Sequence, residues 1–347
     1  MMENMKINQL PSKTWNWLKM NETAVSGISV SGAHEIKAEI PAGISKTNCP
    51  AGLPDQFREI AGGMGPDMDV LVRESAAGAV LLSTDGDLAE TPVRIGFTYG
   101  ASEHSLNTFG IFAKEGSKMT VIMDMAAEAD GASGADHTAL SGVQTKLILE
   151  KDAEVTLVQI IRNKNAKTVL NDIGAKVADG AKLSVIHLFL GGDRVYNGCK
   201  AELIGKKSNF TADIAYTVAD DCVLDMNYVA LHEGKKSVSE IRTDGVLHEN
   251  ARKLFRGTID FKKGAAGAVG NEKEDVLLLD DDVVNQTIPL ILCAEEDVEG
   301  NHGATIGKLD EDLVFYLFFN DTATTEIYTM MAKARIDAVL RFVPDEK

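Results

Sequence analysis

The segment NFTADIAY at residues 209–216 decides the fold class, because apolar and polar side chains alternate along it. Phe210, Ala212, Ile214 and Tyr216 occupy every second position, and the first three of them alternate with Asn209, Thr211 and Asp213. A period of two residues places one set of side chains on the buried face of a strand and the other set on the solvent face. The segment therefore predicts a half-buried β-strand.

Similar runs recur along the chain and predict a repeating architecture. Their spacing is about 14 residues, and no long helical periodicity separates them. Short strands without intervening helices indicate a sandwich, a barrel or a β-solenoid, and the pattern alone does not choose among these folds. Strand-like runs begin near Val155, Thr168, Leu183, Val195, Asn209, Val223 and Ser237. Earlier apolar runs, from VLV at 70–72 to MTVIMDM at 119–125, are also interpreted as strands.

Composition excludes several classes of protein. The 347 residues carry a net charge of −17, which argues against binding to nucleic acid or to an anionic membrane surface. Hydrophobic residues make up 44% of the chain, enough for a sizeable core. No apolar stretch has the length of a bilayer span, and the N-terminus lacks the apolar core of a signal peptide, so we expect a cytoplasmic protein.

The four cysteines, Cys49, Cys199, Cys222 and Cys293, lie far apart and form no CxxC pair. This spacing argues against a disulfide framework and against a local zinc or ferredoxin-type motif.

The segment LILCAEEDVEGNHGATIGKLDEDLVFY at residues 290–316 contains the main candidate for chemistry, His302. Small residues surround it, including Gly300 and Gly303, and they leave the imidazole accessible. A neutral imidazole is a competent iron ligand or proton carrier near neutral pH. On spacing alone, a tight turn with an incidental exposed histidine is the favoured interpretation, because one histidine is too little to define a site.

Residues 294–317, AEEDVEGNHGATIGKLDEDLVFYL, resemble the signature of the SufB/SufD family of iron–sulfur cluster assembly proteins, and the HGAT-IG form resembles its SufD branch. FRGTIDF at 255–261, the Gly/Ala-rich segment at 264–270 and DVLLLDDD at 275–282 are similar to the same family. LPSKTWNWLKMNET at 10–23 resembles the first segment of these proteins. The resemblance is clear from about residue 140 to residue 317.

The resemblance implies an all-β-dominated fold, a right-handed parallel β-helix (a solenoid) with short helical segments at both ends. We expect a mixed, partly helical N-terminal segment at 1–65, a β-helix core at 66–309 and a helical C-terminal segment at 310–347. A short helix capped by Ser12 or Thr14 is predicted to pack Trp15 and Trp17 against the body.

One part of the C-terminal segment departs from the family pattern. Residues 318–329, FFNDTATTEIYT, resemble a translated sequencing-library adapter, so we suspect a sequence artefact there. The four threonines of this stretch are weak helix formers at a place where the family starts a helix.

The resemblance further implies a non-catalytic scaffold subunit of a SufBCD-type complex. Its partners would be a SufB-like subunit and a SufC-like ATPase, with a homodimer possible for the isolated chain. This chain has no nucleotide-binding motif, so ATP hydrolysis is assigned to SufC. A transient iron–sulfur cluster is expected at the SufB–SufD interface, with His302 as the interface histidine and metal ligand. Family members often have a cysteine two residues earlier, where this chain has Gly300, so further ligands must come from the partner.

Other candidate residues have mainly structural interpretations. Cys293 is a second candidate at the interface, although a buried, inert thiol is the favoured interpretation. Phe255, Arg256 and Gly257 form a structural motif in which Arg256 pairs with an acidic residue on the next coil and Gly257 permits close backbone approach. Two alternative functions remain open at this point: a SufB-like subunit with its own nascent cluster, and a β-helix carbohydrate-active enzyme.

Overall fold

The computed structural model describes residues 2–13, 17–84, 91–100, 103–127, 139–162 and 168–308, and it is dominated by β-strands. The elements are, in chain order, β1 (Met2–Ile7), β2 (Thr23–Ile28), β3 (Lys37–Glu39), β4 (Ile44–Cys49), α1 (Asp55–Arg58), α2 (Pro66–Ser75), β5 (Ala79–Thr84), β6 (Val93–Tyr99), β7 (His104–Ala113), β8 (Lys118–Ala127), β9 (Leu140–Leu149), β10 (Glu154–Arg162), β11 (Thr168–Val177), β12 (Lys182–Phe189), β13 (Arg194–Leu203), β14 (Asn209–Val218), β15 (Val223–His232), β16 (Val238–Leu247), β17 (Arg252–Phe261), β18 (Ala268–Leu278), β19 (Val284–Cys293) and β20 (Val298–Lys308).

β1 and β2 form a two-stranded sheet, and from β5 onward successive strands alternate between two sheets of nine strands each. Sheet I has the order β19-β17-β15-β13-β11-β9-β7-β5-β4, and sheet II has the order β20-β18-β16-β14-β12-β10-β8-β6-β3. From β5 onward each strand pairs in parallel with the strand two places later in the chain. One strand from each sheet together make up a coil, and the coils stack into a parallel β-solenoid. This confirms the fold that the family resemblance implies, which the strand pattern alone did not distinguish from a sandwich or a barrel.

The predicted strand starts agree closely with the observed ones. β11 begins at Thr168, β14 at Asn209 and β15 at Val223, each at the predicted residue. In β14 the alternating residues Phe210 and Ala212 are buried between the two sheets, while Thr211 is only partly buried on the other face. The period-two pattern therefore identified the inward face correctly.

The first strands of both sheets lie before residue 66. β3 pairs with β6 and β4 pairs with β5, and both pairings are antiparallel. Residues 55–58 form the short helix α1, which precedes the glycines at 62–65. The three-part division of the chain stays a prediction, and residues 309–347 lie outside the described part.

One predicted strand is wrong, because VLV at 70–72 belongs to helix α2. Pro66 stands at the start of this helix, where its missing N–H costs no hydrogen bond. Met68 and Leu71 are its buried residues, and their spacing of three positions suits one face of a helix. Among the described residues, no helix is long and apolar enough to cross a membrane.

The glycines at 62–65 allow the chain to lie directly on sheet I. A Cβ added to Gly63 would stand 2.0 Å from the backbone nitrogen of Cys199, and one added to Gly198 would stand 2.2 Å from the nitrogen of Met64. Real side chains do not tolerate such distances, so both positions require glycine. The contact places α2 against the outer face of the sheet, where Met64 and Met68 join one apolar cluster.

The hairpin of β1 and β2 continues this outer layer toward the last coils. The loop between the two strands reaches β19, where Leu10 and Met20 form a cluster with Ile288. Trp17 is 98% exposed and lies in a turn, so the predicted packing of this residue against the body is wrong. Trp15 lies outside the described residues.

A buried ion pair attaches this N-terminal layer to sheet I. Arg256, on the outer face of β17, donates from Nη1 to Asp225 Oδ1 at 2.5 Å and from Nε to the carbonyl oxygen of Met20 at 2.8 Å. Thr23 and Asn8 also donate to the carboxylate of Asp225. The structural role predicted for Arg256 has an acidic partner as expected, but that partner lies on the preceding coil and not on the next one.

A chain of polar side chains crosses the otherwise apolar core. Asn171 Nδ2 and His187 Nε2 both donate to Gln159 Oε1, at 2.7 and 2.8 Å. The hydroxyl of Tyr228 lies 2.5 Å from His187 Nδ1, and we assign it as the donor because Nε2 already donates. Burial lowers the pKa of His187 to about 3, so the imidazole is neutral in the folded protein.

We expect Arg256→Met to lower the free energy of unfolding by about 3–5 kcal/mol, because it leaves Asp225 buried without its cationic partner. The control is Arg242→Met, which breaks an exposed pair with Asp213 and costs at most about 1 kcal/mol. Urea denaturation measures both values, and Asp225→Asn completes a double-mutant cycle. Equal losses for the two arginine variants would contradict the role given to Arg256.

Acid should destabilise the protein partly through His187. The unfolded chain binds a proton near pH 6.5, whereas the folded chain does so only at about pH 3. The stability that the neutral His187 contributes is therefore complete above pH 6.5. It is lost as the pH falls from 6.5 toward about 3, by at most about 1.4 kcal/mol per pH unit. In His187→Gln, the slope of unfolding free energy against pH should be smaller by up to that amount. Val185→Ala, on the same strand, should keep the wild-type slope, and an unchanged slope in His187→Gln would contradict the assignment.

Candidate functional site

His302 lies on the inward side of the last described coil, at an end of the solenoid that no described strand covers. On β20 it is in register with Glu272 of β18, whose side chain is buried between the two sheets. In-register neighbours in a parallel sheet point to the same side. The His302 side chain therefore continues the inward face of sheet II, yet it is exposed, because no described strand lies beyond β20.

The glycines around His302 support this orientation. A Cβ added to Gly300 would lie 3.1 Å from Phe261 and 3.2 Å from Ile291, two side chains of the opposite sheet. A Cβ added to Gly303 would have no atom within 4 Å, so this residue faces outward. Since sides alternate along a strand, His302 shares the inward side with Gly300.

Cys293 also lies on this inward side. On β19 it is in register with Phe261, which is fully buried one coil below. Cys293 itself is exposed, and its thiol donates a hydrogen bond to the carbonyl oxygen of Glu295 at 2.9 Å. The favoured interpretation of a buried, inert thiol is therefore wrong. Cys293 and His302 both belong to the uncovered surface formed by β19 and β20, which we call the open end.

Cys199 and Cys222 lie in or against the core, away from the open end. Cys199 is fully buried in the core, and burial raises the pKa of its thiol. Cys222 is partly buried against the same core. Neither residue reaches the open end, because both lie on earlier coils.

A group of ionisable side chains lies directly under the open end. Lys253 of β17 donates to Glu274 of β18, and both side chains are fully buried. Thr287 of β19 donates to Glu274 Oε2 at 2.5 Å and accepts from Lys253 Nζ at 3.0 Å. Glu272 completes this group, which we call the polar floor and which consists of Lys253, Glu272, Glu274 and Thr287.

Burial sets the protonation of the polar floor. Burial, reinforced by the charge of Glu274, raises the pKa of Glu272 to about 8. Burial also lowers the pKa of Lys253, although Glu274 opposes this change. The solenoid thus holds charged and protonated groups immediately below the surface where His302 emerges.

Gly257 provides the space for Glu272. A Cβ added to Gly257 would lie 2.2 Å from Glu272 Oε2, so the carboxyl group occupies the place that a larger residue would fill. The close approach predicted for Gly257 exists, but a side chain makes it and not a backbone. Phe255 packs in the core on the same side of β17. The three motif residues 255–257 thus have separate structural roles.

The polar floor was absent from the sequence-based interpretation. The sequence feature that could have revealed it is the pair Glu272 and Glu274 at alternate positions. These residues are in register with inward-facing residues of the preceding coil. This signal becomes readable only when the register between coils is known. Among the described residues, no three His, Cys, Asp or Glu side chains are close enough together to hold a metal ion.

Comparison with known proteins agrees with this geometry. Residues 97–318 match the family model described as "SUF system FeS cluster assembly, SufBD core domain". The chain is 23% identical over 287 residues to iron–sulfur cluster assembly protein SufD of Bacillus subtilis, which covers 78% of this chain and 61% of that protein.

Shorter or weaker matches point to the same family. A SufBD family protein of Staphylococcus saprophyticus is 24% identical over 238 residues, which are 68% of this chain and 50% of that protein. A SufBD family protein of Mycobacterium leprae is 30% identical over 116 residues, which are 33% of this chain and 13% of that protein. This chain thus spans about half to three fifths of the length of the first two relatives. Because the family model covers more than half of the chain, we conclude that the chain belongs to the SufBD family of SUF-system iron–sulfur cluster assembly proteins.

Proposed function

We propose that this chain is a SufD-like scaffold subunit and that its open end docks a SufB-like subunit. The observation that carries the proposal is the uncovered inward face of the last coil. In all earlier coils the following coil covers these positions, whereas Ile306 at the open end is 52% exposed although its neighbour Val276 is 4% exposed. A surface with the side chains of a core but without its cover is typical of an interface.

The backbone of the open end supports the same proposal. β19 and β20 are the terminal strands of their sheets in the described part of the chain. Such edges present unpaired N–H and C=O groups that bind strands of another chain. A SufB-like solenoid that pairs with both edges would continue the two sheets and cover the inward side chains.

His302 is the residue that this subunit would contribute to cluster assembly. A docked partner would enclose its imidazole, which can bind iron through a ring nitrogen. One imidazole is a single ligand, and Gly300 supplies none, so the partner must provide sulfur ligands for the nascent iron–sulfur cluster. Cys293 is the nearest candidate in this chain for an additional thiolate, because it shares the inward side of the last coil.

The remaining parts of the machinery lie outside this chain. A SufC-like ATPase would supply the energy, and the scaffold itself would catalyse no reaction. The family resemblance implies that the C-terminal segment, at 310–347, docks SufC; this segment lies outside the described residues, so the contact stays a prediction. The carbohydrate-active alternative gains nothing from the family match.

We expect His302→Ala to leave the complex with the SufB-like partner intact while lowering its iron–sulfur content about tenfold or more, since a cluster ligand is lost. The subunits are co-expressed from a gene verified through 318–329, purified anaerobically and assayed for iron and sulfide. Thr305→Ala, on the outward side of the same strand, is the matched control and should retain the cluster.

Three results would count against the proposal. Full cluster content in the His302→Ala complex would contradict the role of His302. A stable cluster on the isolated chain would favour a SufB-like subunit. Formation of only a homodimer in the presence of the SufB-like partner would contradict the proposed docking.

A further inference from the structure

The polar floor contains one side chain that lies directly below His302. Glu272 and His302 are in-register partners on adjacent parallel strands, so their Cα atoms lie about 4.8 Å apart and their side chains share the inward side. Glu272 is 6% exposed, whereas His302 is exposed. The Glu272 side chain is therefore buried one coil below the exposed imidazole, on the same inward side.

The position of the Glu272 side chain is constrained from the opposite sheet. Its carboxyl oxygens occupy the space above Gly257, within 2.2–2.4 Å of where a Cβ would be. Lys253 and Glu274, which bind each other, fill the neighbouring inward positions. Pro289 of β19 is the in-register neighbour of Gly257 in the last coil, and it contributes no N–H there.

Few other polar groups compete for the imidazole on this side. Along β20 the inward neighbours of His302 are Gly300 and Ala304, which offer no polar side chain. Glu274 is engaged by Lys253 and Thr287. No hydrogen bond to another side chain, that of His302 included, occupies Glu272 among the contacts of the described residues. Its carboxyl group is therefore available to the imidazole when a partner covers the open end.

We propose that Glu272 is a positioning residue that hydrogen-bonds the His302 imidazole, and so fixes its tautomer, when a partner covers the open end. The inference rests on the proposed function, because it assigns the group that prepares His302 to bind iron. A carboxyl group bound to one ring nitrogen fixes the ring orientation and leaves the other nitrogen free to bind a metal. Glu272 itself does not touch the cluster.

Two variants distinguish a positioning role of Glu272 from a purely structural one. Glu272→Gln keeps the size of the side chain and a hydrogen-bonding oxygen, whereas Glu272→Leu keeps a similar volume without polar atoms. We expect Glu272→Leu to lower the iron–sulfur content of the complex about tenfold, and Glu272→Gln to restore most of it. Asn271→Ala, on the outward face of the same strand, is the matched control and should retain wild-type content.

A spectroscopic readout is independent of cluster assembly. Selective ¹⁵N-histidine labelling of the full chain, bound to the unlabelled SufB-like partner without iron, reports the tautomer of His302 by NMR, and His302→Ala identifies its signal. We expect one tautomer to predominate in the wild type and in Glu272→Gln, and a shift toward a mixture in Glu272→Leu. The same tautomer ratio in wild type and Glu272→Leu would overturn the inference.

The role of Glu272 and the proposed function can be refuted separately. A change of tautomer in Glu272→Leu, together with full cluster content in His302→Ala, would support the contact but refute the proposed function. An unchanged tautomer, together with cluster loss in His302→Ala, would refute only the role of Glu272.

Discussion

The structure depends on one constraint: each coil is stable only when another coil covers its inward side chains. A two-sheet coil buries little apolar surface alone, so stacking supplies the core of a solenoid. The last coil has no such neighbour in the described part of the chain. Its exposed inward residues, including His302, Cys293 and Ile306, are therefore consequences of where the stack ends. The same constraint that builds the core thus creates the surface for a partner.

Polar interactions reinforce the stack at places where apolar packing alone would leave the arrangement unspecified. The Arg256–Asp225 pair fixes the N-terminal layer across the outer face of sheet I, because Asn8, Met20 and Thr23, which hydrogen-bond to it, lie far from it along the chain. Inside the core, His187 links both sheets through Gln159 and Tyr228. Beneath the open end, the polar floor occupies positions that apolar residues fill in earlier coils, such as Ala212 and Ile214. The core is therefore polar at the His187 contacts in the middle coils as well as at the polar floor beneath the open end.

Much of the fold could be predicted from the sequence, because the β-solenoid repeats a local pattern. The alternation in NFTADIAY and the regular spacing identify strands, and both are local properties. The VLV run at 70–72 was predicted wrongly, since a short apolar run suits a helix face as well as a strand. Trp17 was predicted to pack, yet the structure leaves it exposed in a turn.

The candidate site was less predictable, because the exposure and the neighbours of its residues depend on how the coils stack. The free cysteine Cys293 was expected to be buried, which is right for an average coil and wrong for the terminal one. No feature of the sequence near Glu272 indicates that it lies under His302. That position follows from the register between β18 and β20, which pairs residues 30 positions apart along the chain. Sequence motifs therefore located His302, whereas only the structure showed its direction and the carboxyl group below it.

Amide hydrogen exchange of the full chain, measured with and without the SufB-like partner, tests the account most directly. In the free chain, alternate amides of β19 and β20 face no described strand and should exchange quickly. When the partner binds, these amides should become protected, while those of β11 and β13 in the middle of sheet I should keep their rates. Unchanged exchange in both terminal strands, with protection elsewhere, would contradict the claim that the uncovered last coil is the docking surface.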